Sequence, residues 1–252
     1  YISGNDKKQK RTGTIHKFGR AYTRVLELLY PSVCPFCENV YKYGICPSCK
    51  EKIVYIRQPR CMKCGKPLRK EEQEYCRDCQ KKKYAFEAGK SIWVHKAPVS
   101  QGIYRFKYKN RRCYGEIFAA EMAAELGDAV KQWKIEEIIP VPLHRSRQRI
   151  RGYNQAQILA EELGKRLDLP VNKDAVQRIQ KTRPQKELGI RDRIRNLKGA
   201  FGVTKSWIPK KCVLVIDDIY TTGNTIHRVA KVLKNAGAQK VYFLTISIGQ
   251  GL

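Results

Sequence analysis

Hydrophobic and polar positions divide the chain into segments of different character. Residues 1–20 are polar and basic and predict a loose tail, whereas residues 21–30 have apolar side chains at helical spacing. The next segment, to about residue 83, has short polar loops and few branched aliphatic residues. From residue 89 onward, apolar blocks alternate as in an α/β domain. We therefore predict a tail with a short helix at 1–32, a small Cys-rich domain at 33–88 and an α/β domain at 89–252.

Apolar spacing predicts the elements of the α/β domain. Strands are expected at 91–95, 136–142, 212–217 and 240–247, and helices at 114–131, 155–167 and 224–236. Residues 98–108 fit both helix and strand, and the basic segment 172–200 is too long for an ordinary connection. The continuous apolar block in 212–217 is typical of a strand buried on both faces of a parallel sheet. The helix and strand that follow it predict a parallel βαβ unit.

Eight of the ten cysteines form four C-x-x-C pairs, which predict metal sites. Eight residues separate the first two pairs and eleven separate the last two, so each quartet can supply four thiolates to one Zn²⁺. Short intervals favour sequential pairing because closing a short loop costs less entropy. Crossed pairing, or metal in one quartet alone, stays open. The expected ligands of two structural zinc ions are Cys34, Cys37, Cys46, Cys49, Cys61, Cys64, Cys76 and Cys79, while Cys113 and Cys212 are expected to be buried thiols.

The net charge of +28, from 51 Lys and Arg against 23 Asp and Glu, favours polyanionic partners, although a solvated basic surface is an alternative. Arginines alternate in two runs, and in an extended loop each run would place its guanidinium groups on one face for pyrophosphate or a nucleic-acid backbone. These are Arg145, Arg147, Arg149 and Arg151, then Arg191, Arg193 and Arg195. The ammonium of Lys107 could also reach a phosphate.

Without a secretory signal or an apolar stretch near 20 residues, we expect a cytoplasmic protein with no transmembrane segment.

Two adjacent carboxylates followed by a small, hydroxyl-rich turn are the strongest chemical signal. Asp217 and Asp218 come at the carboxyl end of the strand predicted at 212–217, where open α/β sheets bind ligands. Residues 221–225 (TTGNT) then enter a helix whose first amides and hydroxyl groups suit a phosphate. A phosphorylated sugar with a vicinal diol fits both features. Neither a P-loop sequence nor a dinucleotide-binding G-x-G-x-x-G is present.

The segment VLVIDDIYTTGNT resembles the phosphoribosyl-pyrophosphate motif of type I phosphoribosyltransferases, and that resemblance covers roughly residues 91–250. With C-x-x-C pairs ahead of it, the whole order resembles the ComF family of competence proteins, the ComFC branch in particular. The segments that carry this resemblance are LELLYPSVCPFC, CMKCGKPL, VPLHRSRQRIRGYNQA and TRPQKELGIRDRIRNLKGAF. It implies an α/β fold with an open, mostly parallel sheet and flanking helices, preceded by a small Cys-rich double zinc-ribbon-like domain.

The resemblance also implies a site. Asp217 and Asp218 would hold the ribose hydroxyls as catalytic residues, with Mg²⁺ nearby. The 5′-phosphate would lie on Thr221, Thr222, Gly223, Asn224 and Thr225, and pyrophosphate would face the segment that contains Arg145, Arg151 and Gly152.

Two functions stay open. One is a phosphoribosyltransferase, a glycosyltransferase that binds phosphoribosyl pyrophosphate with Mg²⁺ and acts in DNA uptake and natural transformation. The other is a non-catalytic protein that binds single-stranded DNA and uses the pocket for a nucleotide or a DNA end. In that case the DNA contacts would come from Arg147, Arg149, Arg191, Arg193 and Arg195, and a competence helicase is a candidate partner.

Overall fold

A computed structural model describes residues 31–179 and 199–249. The helix predicted at 21–30 and the arginines of the second run (Arg191, Arg193 and Arg195) lie outside the described residues. The division between two compact units falls between Glu51 and Lys52. The second cysteine quartet therefore belongs to the same compact unit as the α/β sheet, whereas the first does not. The boundaries drawn above at 33–88 and 89–252 stay a prediction.

The two cysteine quartets are built alike. An antiparallel bridge closes a hairpin around the first C-x-x-C pair of each, Val33 with Val40 and Arg60 with Pro67. A short helix then begins directly after the first cysteine of the second pair, α1 (Pro47–Lys50) in one quartet and α2 (Arg77–Lys81) in the other. The pairs thus come from a hairpin and from a helix start.

A four-stranded, all-parallel sheet organises the larger unit, in the order β1-β6-β5-β2. The four strands of this sheet are β1 (Gly89–Val94), β2 (Glu137–Pro140), β5 (Cys212–Tyr220) and β6 (Lys240–Ile248). A separate antiparallel pair consists of β3 (Val176–Arg178) and β4 (Phe201–Val203). The helices are α3 (Val99–Tyr108), α4 (Tyr114–Gln132), α5 (Arg145–Arg151), α6 (Gln155–Leu167) and α7 (Asn224–Asn235). The predicted α/β architecture is confirmed, and the ambiguous residues 98–108 form a helix.

Strand β5 lies in the interior of the sheet and is apolar on both faces, so both faces of the sheet are buried there. Residues 213–216 are fully buried, and β6 pairs with β5 along nearly its whole length. Helix α7 contributes Val229 and Leu233 to one side of the core. Asn154 caps α6, as its position in the sequence suggests, because its side chain accepts a hydrogen bond from the Ala156 amide.

The first arginine run is not an extended loop. His144 accepts a hydrogen bond from the Ser146 amide and Gly152 adopts a left-handed conformation (φ 78°), so the residues between them form helix α5. Successive helical residues turn by about 100°, so alternate residues point to nearly opposite sides. The expectation that these arginines share one face is therefore wrong.

The two isolated cysteines also differ from expectation. Cys113 is exposed, just before α4, and Cys212 is half-buried at the first position of β5. Neither is a buried thiol, since each lies at the end of an element and not in its interior.

Candidate functional site

A cavity of about 580 Å³ opens beside the carboxyl half of β5. Strand β2 pairs with β5 only as far as Ile216, whereas β6 continues the pairing to Tyr220. From Asp217 onward, no strand of the described residues therefore lies along one edge of β5. The strand is longer than the predicted 212–217, so both aspartates lie within it and not at its end. The end of α3, helix α5 and the start of α6 supply further parts of the cavity wall.

Asp217 and Asp218, the acidic pair, lie at the cavity wall in different environments. Asp218 forms an ion pair with Lys107, with 2.8 Å between Oδ1 and Nζ, and both side chains are mostly buried. Asp217 accepts a hydrogen bond from the Asp218 amide. Burial, followed by repulsion from Asp218, raises the pKa of Asp217 to about 7, against the attraction of Lys107. The pair thus contains one carboxyl group that ionises near neutral pH.

The phosphate turn, residues 221–225, follows β5 and begins helix α7. Gly223 has a φ of 73°, and a Cβ there would overlap the Tyr220 hydroxyl, so only glycine fits. The Asn224 side-chain amide is buried and, among the described residues, has no hydrogen-bond partner. A twelve-residue helix begins at this point, and its first amides lack partners within the helix. The turn therefore contains one buried side-chain amide that has no partner in the described part of the chain, next to backbone amides that have none within the helix.

Among the described residues, three guanidinium groups line the cavity, and two of them come from α5. Arg147 and Arg151 are four residues apart and face it together, whereas Arg145, Arg149 and Gly152 lie outside the wall. The third, Arg178 of β3, was not singled out in the sequence, since nothing distinguishes it within the basic segment 172–200. Burial and repulsion from Arg147 lower the pKa of Arg178 to about 10, while Asp217 acts in the opposite direction.

Each cysteine quartet brings its four sulfur atoms together. Within each quartet, they all lie within 4.8 Å of one another. The sulfurs of Cys37 and Cys46 are 3.7 Å apart, and those of Cys64 and Cys76 are 3.6 Å apart. Zinc–sulfur bonds of about 2.3 Å in a tetrahedron give sulfur separations of about 3.8 Å, so both quartets fit a structural zinc ion. Sequential pairing is confirmed and crossed pairing is wrong.

Comparison with known proteins matches both parts of this architecture. A double zinc ribbon domain matches residues 25–80, and a phosphoribosyl transferase domain matches residues 150–247. Competence protein F of Haemophilus influenzae is 34% identical over 208 residues, which cover 81% of this chain and 90% of that protein. The chain belongs to the Competence protein F/ComFC family.

Two further proteins are similar to this chain over most of its length. Competence protein ComFC of Streptococcus pneumoniae is 32% identical over 203 residues, 78% of this chain and 84% of its own. DNA utilization protein YhgH of Escherichia coli is 27% identical over 220 residues, 85% of this chain and 96% of its own. No helix within the described ranges, 31–179 and 199–249, combines the length and hydropathy that a membrane crossing needs.

Proposed function

We propose that this protein binds phosphoribosyl pyrophosphate with Mg²⁺ in the cavity beside β5 and acts in DNA uptake as a phosphoribosyltransferase-like protein. One observation carries the proposal: the acidic pair and the phosphate turn, with its unpartnered Asn224 amide, line a single cavity. The names of the relatives, competence and DNA utilization proteins, support the role in DNA uptake.

The 5′-phosphate would occupy the phosphate turn. A phosphate oxygen accepts hydrogen bonds, so it would satisfy the buried Asn224 side-chain amide and would also accept from the backbone amides at the start of α7, which have no partner within the helix. Thr222 and Thr225 line the same stretch of wall and add hydroxyl donors. Gly223 keeps the backbone free of a side chain where the anion approaches.

The ribose diol would lie on the acidic pair. Ionised carboxylates accept strong hydrogen bonds from hydroxyl groups, and Asp217 and Asp218 have adjacent positions on the wall. The ion pair with Lys107 holds the Asp218 side chain in place. A bound diol favours the ionised form of Asp217, whose pKa lies near 7 without ligand.

The acidic pair also fits a magnesium ion shared with the ligand. Carboxylate oxygens are ligands that Mg²⁺ accepts, and repulsion within the pair, which raises the pKa of Asp217, would be relieved by a cation. Bound there, Mg²⁺ would neutralise charge on the pyrophosphate.

The three cavity arginines are suited to the pyrophosphate group itself. In transfer, a nucleophile forms a bond to C1 of the ribose while the bond from C1 to the pyrophosphate oxygen breaks, and pyrophosphate leaves with both electrons. Arg147, Arg151 and Arg178 would stabilise the charge that develops on this leaving group.

Calorimetric titration with phosphoribosyl pyrophosphate, with and without Mg²⁺, tests the site. We expect Asp217→Asn and Asp218→Asn to weaken binding about 10- to 100-fold, since each removes a charge-assisted hydrogen bond worth about 1.5–3 kcal/mol. Thr222→Val should weaken binding from the phosphate side. Asp174→Asn, at an exposed position outside the cavity, is the matched control. No binding heat with the wild type, or unchanged affinity in both cavity variants, would refute the assignment.

A specific surface favours a second function, binding of single-stranded DNA. Tyr104 and Tyr108 lie one helical turn apart on α3, half-exposed, with ring centroids 5.0 Å apart. The guanidinium of Arg151 lies 4.7 Å from the centre of the Tyr108 ring, at the cavity wall. Exposed aromatic rings beside guanidinium groups form a stacking surface for unpaired bases.

Fluorescence anisotropy with a labelled oligonucleotide tests this second function. We expect the double change Tyr104→Ala/Tyr108→Ala to weaken binding at least tenfold, since stacking contributes about 1–3 kcal/mol per base. Arg149→Glu, on the exposed side of α5, should instead make the slope of log affinity against log salt concentration shallower, by about 0.7 per lost phosphate contact. If phosphoribosyl pyrophosphate displaces the oligonucleotide, the DNA enters the pocket. Salt-independent binding, or none at low salt, would contradict the DNA function.

A further inference from the structure

The second ribbon, residues 61–79, shares one hydrophobic core with the sheet that carries the ligand cavity. Its buried Cys61, Cys64 and Cys76 belong to the same cluster as Tyr220 of β5 and Val229 of α7. The ribbon and the end of β5 are therefore parts of one hydrophobic core.

Tyr84 connects this ribbon to the phosphate turn. It follows the last zinc-ligand position, Cys79, by five residues, and its side chain is buried. Its hydroxyl donates a hydrogen bond of 2.9 Å to the Thr222 carbonyl oxygen, in the middle of the turn. A residue anchored by the ribbon thus holds the backbone where the 5′-phosphate would bind.

Contacts on both sides of this hydrogen bond strengthen the connection. The Ala85 amide donates to His227 Nδ1 at 2.9 Å, in the first turn of α7. The Tyr84 ring stacks on Phe86, and Phe86 meets the Tyr220 ring edge to face. Residues 84–86 therefore contact the end of β5, the turn itself and the start of the helix, which are the three parts that set the turn's shape.

We propose that the second ribbon is part of the ligand site, with Tyr84 as a positioning residue that holds the phosphate turn in its binding conformation. This inference rests on the proposed function. Zinc in the second quartet orders the ribbon, the ribbon fixes Tyr84, and Tyr84 fixes the turn. Because binding free energies are reciprocal, zinc in this quartet strengthens ligand binding and ligand strengthens zinc retention by the same factor.

The first test removes only the hydroxyl group. Tyr84→Phe keeps the stacked ring but loses the hydrogen bond to Thr222, and we expect affinity for phosphoribosyl pyrophosphate to fall about 3- to 10-fold. Tyr75→Phe makes the same chemical change at an exposed tyrosine of the same ribbon and should leave affinity unchanged. Zinc content and the circular dichroism spectrum should be the same in both variants and the wild type.

The second test measures the reciprocal effect, which a merely structural role for Tyr84 would not produce. In Cys37→Ser the first quartet lacks a ligand, so the zinc released slowly to a chromogenic chelator comes from the second quartet. We expect saturating phosphoribosyl pyrophosphate to slow that release at least threefold. The double variant Cys37→Ser/Tyr84→Phe should lose most of this protection.

The outcomes separate this inference from the proposed function. If the wild type binds the ligand but Tyr84→Phe binds equally well, or if ligand leaves zinc release unchanged, the coupling is refuted while the ligand site stands. If the wild type does not bind phosphoribosyl pyrophosphate, both are refuted. Weakened binding in Tyr84→Phe together with ligand-slowed zinc release supports the coupling.

Discussion

Replacing Asp217 with asparagine should make the protein more stable while it damages the ligand site. Burial and the nearby charge of Asp218 together raise the pKa of the Asp217 carboxyl group from 3.8 to about 7. Asparagine has nearly the same shape, and its side-chain oxygen can still accept the hydrogen bond from the Asp218 amide. The variant therefore removes an unfavourable charge and keeps the local structure.

The size and sign of this effect follow from the pKa. Raising this pKa from 3.8 to about 7 corresponds to about 4 kcal/mol, at 1.36 kcal/mol per pH unit. Because the side chain is partly open to the cavity, we expect Asp217→Asn to raise the free energy of unfolding by about 2 kcal/mol. Folded Asp217 binds its proton more tightly than the unfolded chain does. The wild type thus loses stability as the pH rises from about 4 to about 7, whereas the asparagine variant has no proton to lose.

Urea unfolding without ligand, followed by tryptophan fluorescence at a series of pH values, measures the difference. The urea midpoint of Asp217→Asn should exceed that of the wild type by an amount that grows from about pH 4 to about pH 7. Above pH 7 this difference should stay constant at about 1 M. Asp174→Asn should show no such trend, since its side chain is exposed. An Asp217→Asn variant that is less stable than the wild type at pH 8, or whose advantage does not vary with pH, would refute this account of the acidic pair.

Three further predictions follow from the site. Affinity for phosphoribosyl pyrophosphate should rise between pH 6 and pH 8 as Asp217 ionises, and calorimetry on Asp217→Asn should show a flatter profile. Gly223→Ala should weaken binding at least tenfold, because the left-handed conformation and the Tyr220 hydroxyl exclude a Cβ; wild-type affinity would contradict this. Elemental analysis should find two zinc ions per reduced chain, and one ion would show that a single quartet binds metal.

The sequence predicts the fold well because its strongest signals are local. The apolar block before Asp217 can only be a buried strand, and the C-x-x-C spacing alone limits which sulfur atoms can meet. The phosphate turn follows from residue size and hydroxyl content. Each of these features is read from about twenty consecutive residues or fewer.

Other features were not predictable in the same way, because a competing local signal or a tertiary contact decides them. The alternating arginines of α5 fit an extended loop by pattern, but capping by His144 and Gly152 makes the segment a helix. Lys107, whose contact with a phosphate stays a prediction, pairs with Asp218, which lies more than a hundred residues away along the chain. Arg178 enters the cavity only because the β3–β4 pair places it there.

Two costs to folding meet in the cavity, and the proposed ligand would offset both. Asp217 is buried beside a like charge, and the Asn224 amide is buried without a partner among the described residues. Either feature weakens the folded state, and an apolar or smaller residue at these positions would avoid it. A sugar phosphate reverses both at once, because its hydroxyl groups donate to the carboxylates and its phosphate oxygens accept from the amide. The proposed ligand, which carries both a diol and an anion, would therefore remove two unfavourable features of the folded state at one site.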